Sequence, residues 1–248
     1  MKQFFSIKTI AIATATLVLA GSSMAQTPGT TSPGMDAVLL KLYGENKAFT
    51  ALTVISISDP TSTQTMTLPV TTIQLDGNIR SETDMEKMTG GNFPPGALDQ
   101  LKALGMTKVV SVVRPATKEI MLIYPGLSSY IQTPMPKEQA DALSKEPKMV
   151  QTEIGKETVE GHPSVKTKIT STDAGGKSQD ILVWKATDMK NFPVKIQIKT
   201  ETGGEVVIVY KSVKFDKPDA KLFNTPVGYT KYATQQELLQ KAASGAQP

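Results

Sequence analysis

Between residues 48 and 215 the chain reads as a succession of about ten short strands, set roughly ten residues apart by turn signals. Residues 49–58 alternate Phe49, Ala51, Thr53, Ile55 and Ile57 against Thr50, Leu52, Val54, Ser56 and Ser58, and Asp59-Pro60 ends the run. Strands at 65–75 and 78–84 meet at Asp76-Gly77, a strong hairpin signal. A second series at 107–114, 118–124 and 128–133 is punctuated by Pro115 and Pro125-Gly126. A meander follows at 153–160, 164–172, 179–186, 194–201 and 205–215, with Gly161-His162-Pro163 and Gly203-Gly204 among its separators. So many strands in one open sheet curl strongly, which predicts a closed or half-closed antiparallel barrel.

Helical spacing appears in four places. Val38, Leu39 and Leu42 mark a helix at 35–43, stopped by Gly44. The insert 85–106 holds Gly90-Gly91 and Pro94-Pro95-Gly96, then Ala97, Leu98, Leu101 and Leu104 ahead of Gly105. A polar helix is expected around 137–145, and a last one at 234–243, opened by a capping box of Thr234 and Glu237. No repeat or linker divides the chain, so 35–243 reads as one β-rich domain with a flexible tail at 244–248.

The first 25 residues stand apart. Lys2 and Lys8 precede a small-and-apolar run at 9–20, and Ser23-Met24-Ala25 closes it, the order of a secretory signal peptide. The run falls short of the ~20 residues of a membrane span. Cleavage after Ala25 is expected, then a disordered leader (26–34) rich in Pro, Gly, Thr and Ser, and a soluble protein in the periplasm. The chain has no cysteine, so neither disulfides nor a lipid-modified Cys anchor is available to it.

Charge and chemistry exclude several classes. Beyond the signal peptide 25 basic residues face 23 acidic ones, interspersed along the chain, and only Arg80 and Arg114 are arginines. That balance carries no nucleic-acid footprint. The single histidine, His162, lies in a turn, and the His and Cys counts exclude a metal site built from them. Asp173-Ala174-Gly175-Gly176 is a Gly-rich hairpin rather than a calcium loop. Gly126-Leu127-Ser128-Ser129 lacks the closing glycine of a nucleophile elbow. No enzyme, cofactor or metal is implied.

The strands carry an apolar surplus instead. Val194, Ile196 and Ile198 alternate with Lys195, Gln197 and Lys199, giving one buried and one wet face. Ile120–Tyr124, Ile181–Trp184 and Val206–Val213 are apolar on both faces and need cover on both sides. Nine of the eleven methionines lie beyond the signal peptide, and Met85, Met88 and Met106 gather around the Gly/Pro insert. Flexible thioethers either fill core gaps or suit a surface that adapts to varied apolar ligands.

Four stretches carry a family resemblance: the turn Gly155-Lys156-Glu157-Thr158-Val159-Glu160-Gly161-His162, the strand Val183-Trp184-Lys185-Ala186, the start Phe192-Pro193-Val194-Lys195, and the closing Phe223-Asn224-Thr225-Pro226-Val227-Gly228-Tyr229. With the element order they resemble the periplasmic lipoprotein-carrier (LolA/LolB-like) superfamily over most of residues 36–232. The resemblance implies an incomplete antiparallel β-barrel with a helical lid and an apolar cavity for acyl chains. It also implies a barrel arginine tied to the lid, a part open to Arg80 or Arg114.

Two readings follow. In the first, a monomeric periplasmic protein binds or carries a lipid, a lipoprotein's acyl chains or another apolar ligand. Its candidate cavity residues are Met121, Ile123, Tyr130, Trp184, Ile196, Ile198 and Ile208, with Leu98, Leu101 and Leu104 on the lid. In the second, a filled barrel serves as a structural or interaction protein of the cell envelope, with an envelope protein as partner.

Overall fold

A computed structural model describes residues 34–60, 64–91, 94–145, 147–172, 176, 178–200 and 203–244. The signal peptide expected at 1–25, the leader expected before Gly34 and the tail beyond Ser244 lie outside the described residues.

Helix α1 (Gly34–Leu42) precedes strands β1 (Ala48–Ser58), β2 (Met66–Leu75) and β3 (Asn78–Asp84). Helix α2 (Ala97–Ala103) leads into β4 (Lys108–Arg114), β5 (Glu119–Tyr124) and β6 (Ser129–Pro134). Helix α3 (Lys137–Ser144) leads into the meander β7 (Lys148–Val159), β8 (His162–Thr172), β9 (Ser178–Ala186), β10 (Phe192–Lys199) and β11 (Glu205–Lys214). A 3-10 turn (Ala220–Phe223), β12 (Thr230–Tyr232) and α4 (Gln235–Ala243) close the chain.

All twelve strands form one sheet, in the order β12-β6-β5-β4-β3-β2-β1-β11-β10-β9-β8-β7. Every pairing is antiparallel except β12 on β6. The two meanders meet once, where β1 pairs with β11. The product is the mainly β fold expected, an open and strongly curved sheet with helices on one face, as the resemblance implies. The sequence reading misses β12, which is only three residues long, and the start of β7 at 148–152, where Met149 and Val150 are adjacent and give no apolar alternation.

Register shows which side chains share a face, because they alternate along each strand. One cross-strand row runs Ala51, Thr72, Ser81, Ser111, Leu122, Ile131. The row beside it runs Phe49, Gln74, Ile79, Val113, Ile120. All four helices dock on this face. Val38, Leu39 and Leu42 of α1 pack with Phe49 and Ala51, Ala140 of α3 packs with Val113, and Leu101 of α2 and Leu238 of α4 pack with Tyr124 and Ile131.

On the opposite face, Ile73, Leu75, Val110, Val112, Met121, Ile123 and Tyr130 are covered by Phe223, Leu222 and Tyr229 of the C-terminal segment. Burial on both sides is thus found in β5 only at its end, where Ile123 and Tyr124 are both buried, while Ile120 and Leu122 remain part-exposed. In β11 it is not: Val206, Ile208 and Tyr210 are buried while Val207 and Val209 remain part-exposed.

The core under α1 is aromatic. Phe192 lies edge-on to Phe49 and Tyr210 at 5.0 and 5.4 Å between ring centres. Such pairs add ~0.5–1.5 kcal/mol each beyond their buried area. The Tyr43 and Tyr210 hydroxyls share a hydrogen bond of 2.8 Å, and burial holds the Tyr210 hydroxyl well above the ordinary phenol value.

Candidate ligand-binding face

The predicted site residues divide into three groups. Ile196, Ile198 and Ile208 lie together on the helix-bearing face under α1, in one solid cluster with Phe49 and Phe192. Met121, Ile123 and Tyr130 are buried on the opposite face, beneath Phe223. Leu98, Leu101 and Leu104 are part-exposed on α2, and Leu101 and Leu104 meet Tyr124, Met106 and Leu238 rather than the first two groups.

Trp184 shares a cluster with the first group but faces away from Ile196. It pairs with Lys195 and Lys166, whereas Ile196 pairs with Val183. The two lysine ammonium groups sit 4.3 and 4.9 Å from its ring centre. Its indole N–H donates to the Glu157 carboxylate, a bond that, with Lys166 beside it, holds the Glu157 carboxyl below the usual carboxylate range.

What lies on the helix-bearing face between α1 and α2 was not anticipated. Thr53, Thr72, Gln74, Ser81 and Thr83 are all buried there, on β1, β2 and β3. Thr53 donates to Thr72 at 2.7 Å. Gln74 Oε1, Ser81 Oγ and Thr83 Oγ1 are buried without a hydrogen-bond partner. Beyond them toward β5, burial breaks off: Ile79, Val109, Ser111, Ile120 and Leu122 are part-exposed. The stripe was readable in principle. The Asp76-Gly77 hairpin pairs Leu75 with Asn78 and thereby sets Thr72 opposite Ser81.

Two of the covering helices are lightly held. α2 buries none of its seven residues, and α3 buries only Gln139 and Ala140. Neither has a side-chain N-cap. Helices this short are marginal without packing. By contrast α4 is capped as expected by Thr234, although the Glu237 carboxylate takes the Ala233 N–H rather than that of Thr234.

α2 is fastened at one end. Met106 N donates to Leu101 O and Gly105 N to Lys102 O, a Schellman closure with Gly105 at φ 68°. Gly105 also abuts Gly126, where an added Cβ would run into the Gly105 carbonyl oxygen. Below it, Glu86 accepts from Thr107 at 2.9 Å and pairs with Lys102 at 3.3 Å, and both interactions lower the Glu86 carboxyl's pKa. The other end starts at Gly96, whose Cβ position has nothing within 4 Å.

Neither arginine faces the helices. Arg80 donates to Glu82 at 2.7 Å and to the Leu222 carbonyl at 2.8 Å, which ties down the C-terminal segment. Arg114 pairs with Glu119 at 2.9 Å. His162 opens β8 and its Nδ1 lies 2.8 Å from Asp188. Among the described residues no group of three His, Cys, Asp or Glu is placed to hold a metal, and no helix is long and apolar enough to cross a membrane. The free edge β7 exposes Val150 and Ile154, but Lys148, Lys156 and a bulge at 153–155 guard it.

No protein-family model matches the chain, and no curated protein matches it in sequence. Among solved structures it is similar to an uncharacterized conserved protein from Thermus thermophilus, at 12% identity over 79% of this chain and 98% of that one, with a TM-score of 0.44. It is also similar to the lipoprotein LppX of Mycobacterium tuberculosis, at 11% identity over 72% and 94% of the two chains and a TM-score of 0.39. A LolA superfamily protein from Nitrosomonas europaea aligns at 11% identity over 78% and 96%, with a TM-score of 0.36. The likeness is one of outline and says nothing about ligand.

Proposed function

We propose that the protein binds an apolar ligand, a lipid or an acyl chain, on the helix-bearing face between α2 and α3, and carries it through the periplasm to which the signal read at 1–25 would export it. One observation carries the reading: burial breaks along a single cross-strand row. Ala51, Thr72 and Ser81 at one end and Ile131 at the other are buried, while Ser111 and Leu122 between them are part-exposed.

Val109, Ile120 and Leu122 line this opening, and of the helices beside it α2 buries none of its residues and α3 only Gln139 and Ala140. An acyl chain laid there leaves water at ~0.8 kcal/mol per CH₂. Displacing α2 gives up the part-buried contacts of Leu101 and Leu104 and the Lys102–Glu86 ion pair, but no buried residue of the helix. Of the residues named from sequence, the lid leucines stay in the proposed site. Ile196, Ile198 and Ile208 become its solid neighbour, and Met121, Ile123 and Tyr130 its support from behind.

Titration with 1-N-phenylnaphthylamine, which fluoresces in apolar surroundings, tests this. The protein is expected to give a saturable rise in fluorescence, and Leu122→Asp, shown folded by circular dichroism, to weaken it on the order of tenfold. A protein that gives no rise contradicts the proposal.

A further inference from the structure

Three buried polar atoms on one face, Gln74 Oε1, Ser81 Oγ and Thr83 Oγ1, have no hydrogen-bond partner. Their residues are 4%, 1% and 5% exposed, so bulk solvent does not reach them. Ser81 and Thr83 are two residues apart on β3 and share its helix-bearing side, with Thr72 directly across from Ser81 and Gln74 diagonal to it. On its other side Ser81 pairs with Ser111, where the face becomes part-exposed. The unpaired atoms therefore adjoin the opening between α2 and α3.

Every charged residue of β1 to β5, namely Arg80, Glu82, Asp84, Lys108, Arg114 and Glu119, points to the opposite face. Nothing on these strands can neutralise a charged headgroup here, and burying an unpaired charge is costly. Serine and threonine hydroxyls both donate and accept, whereas a glutamine oxygen only accepts. The complementary ligand group is uncharged and carries both a donor and an acceptor.

Resting on the proposed apolar-ligand site, we infer that the ligand is a neutral amphiphile of the monoacylglycerol or N-acyl amide kind, whose head hydrogen-bonds Gln74, Ser81 and Thr83 while its chain lies over Leu122. Unpaired in the free protein, these groups gain their partners only when the head arrives, so they select among ligands of equal chain length.

The test uses the full protein with three probes: monolaurin, laurate and 1-N-phenylnaphthylamine. Monolaurin is expected to bind on the order of tenfold more tightly than laurate. The double variant Ser81→Ala, Thr83→Val is expected to lose about tenfold of the selectivity for monolaurin over 1-N-phenylnaphthylamine. Its thermal midpoint should not fall, since it removes atoms that have no partner. Reverting position 83 with Thr83→Ser on the Ser81→Ala background should restore part of the selectivity.

Equal binding of laurate and monolaurin, or a selectivity unmoved by the double variant, overturns this inference and leaves the apolar site standing. Failure of all three probes to bind overturns both.

Discussion

Under α1, the inward face of β8 to β11 carries Ile169, Ile181, Val183, Ile196, Val206 and Ile208, each no more than 2% exposed, with Tyr210 at 4% and Thr167 and Ile198 at 6%. Under α2 and α3, the same face of β3 to β5 buries Val113 and Tyr124 but also carries Ile79, Ser81, Thr83, Val109, Ser111, Ile120 and Leu122, a mixture of orphaned hydroxyls and part-exposed apolar groups. One sheet thus supports a fully buried apolar core and a more polar, partly exposed one. The difference lies in side-chain size and polarity at inward positions. The large apolar residues of β8 to β11 close the first core, whereas Ser81, Thr83 and Ser111 bring small polar groups to the inward face of β3 and β4. Local opening is therefore expected to be easier in the second half than in the first.

The contrast is easiest to break at its extremes. Phe192→Ala, in the aromatic cluster, should cost about 3–5 kcal/mol in urea unfolding, and Leu101→Ala on α2 under about 1.5. Equal costs would erase the distinction between the halves. Next in size, Gly126→Ala pushes a Cβ into the Gly105 carbonyl and should cost about 1–3 kcal/mol. Its signature is local: amide exchange should quicken across 97–104 while β9 and β10 keep their protection.

Titration samples both halves. Burial holds Tyr210 well above its ordinary 10.0 and pushes Tyr124 up to about 12. A raised acid keeps its proton in the folded chain where the unfolded chain has lost it. The stability these groups contribute is therefore whole below pH ~10 and falls as pH rises beyond. Tyr210→Phe should cost about 1 kcal/mol at neutral pH, from the Tyr43 bond, and make alkaline unfolding less steep. An unchanged alkaline profile would mean that Tyr210 already ionises freely. Smallest of all, Ser81→Ala should be neutral or stabilising by under about 1 kcal/mol in thermal unfolding. A marked loss would show that Ser81 has a partner in solution.

Much of the fold was legible because its signals are local. Asp76-Gly77 set a hairpin and its register, and Val194, Ile196 and Ile198 alternated with polar residues to declare a buried face. Leu101 and Gly105 announced α2 and its Schellman end. The site was less legible, because parity within a strand does not say which face carries the helices. Met121 and Ile123 look like cavity residues until Phe223, a hundred residues later, is seen to cover them. Trp184 belongs to an apolar strand yet lies between two lysines, a contact set by pairing with β8 and β10. Ser81 and Thr83 passed unnoticed because small polar residues in a strand ordinarily face water; their burial depends on helices distant in sequence docking on this face, which no local signal encodes.

Native mass spectrometry of the protein purified without detergent, followed by organic extraction of whatever it holds, tests the central claim most directly. A ligand on the helix-bearing face predicts a reproducible lipid adduct that is lost in folded Leu122→Asp and retained in Val207→Asp, on the opposite face of β11. A bare protein that also takes up no added monoacylglycerol, fatty acid or acylated peptide would contradict it.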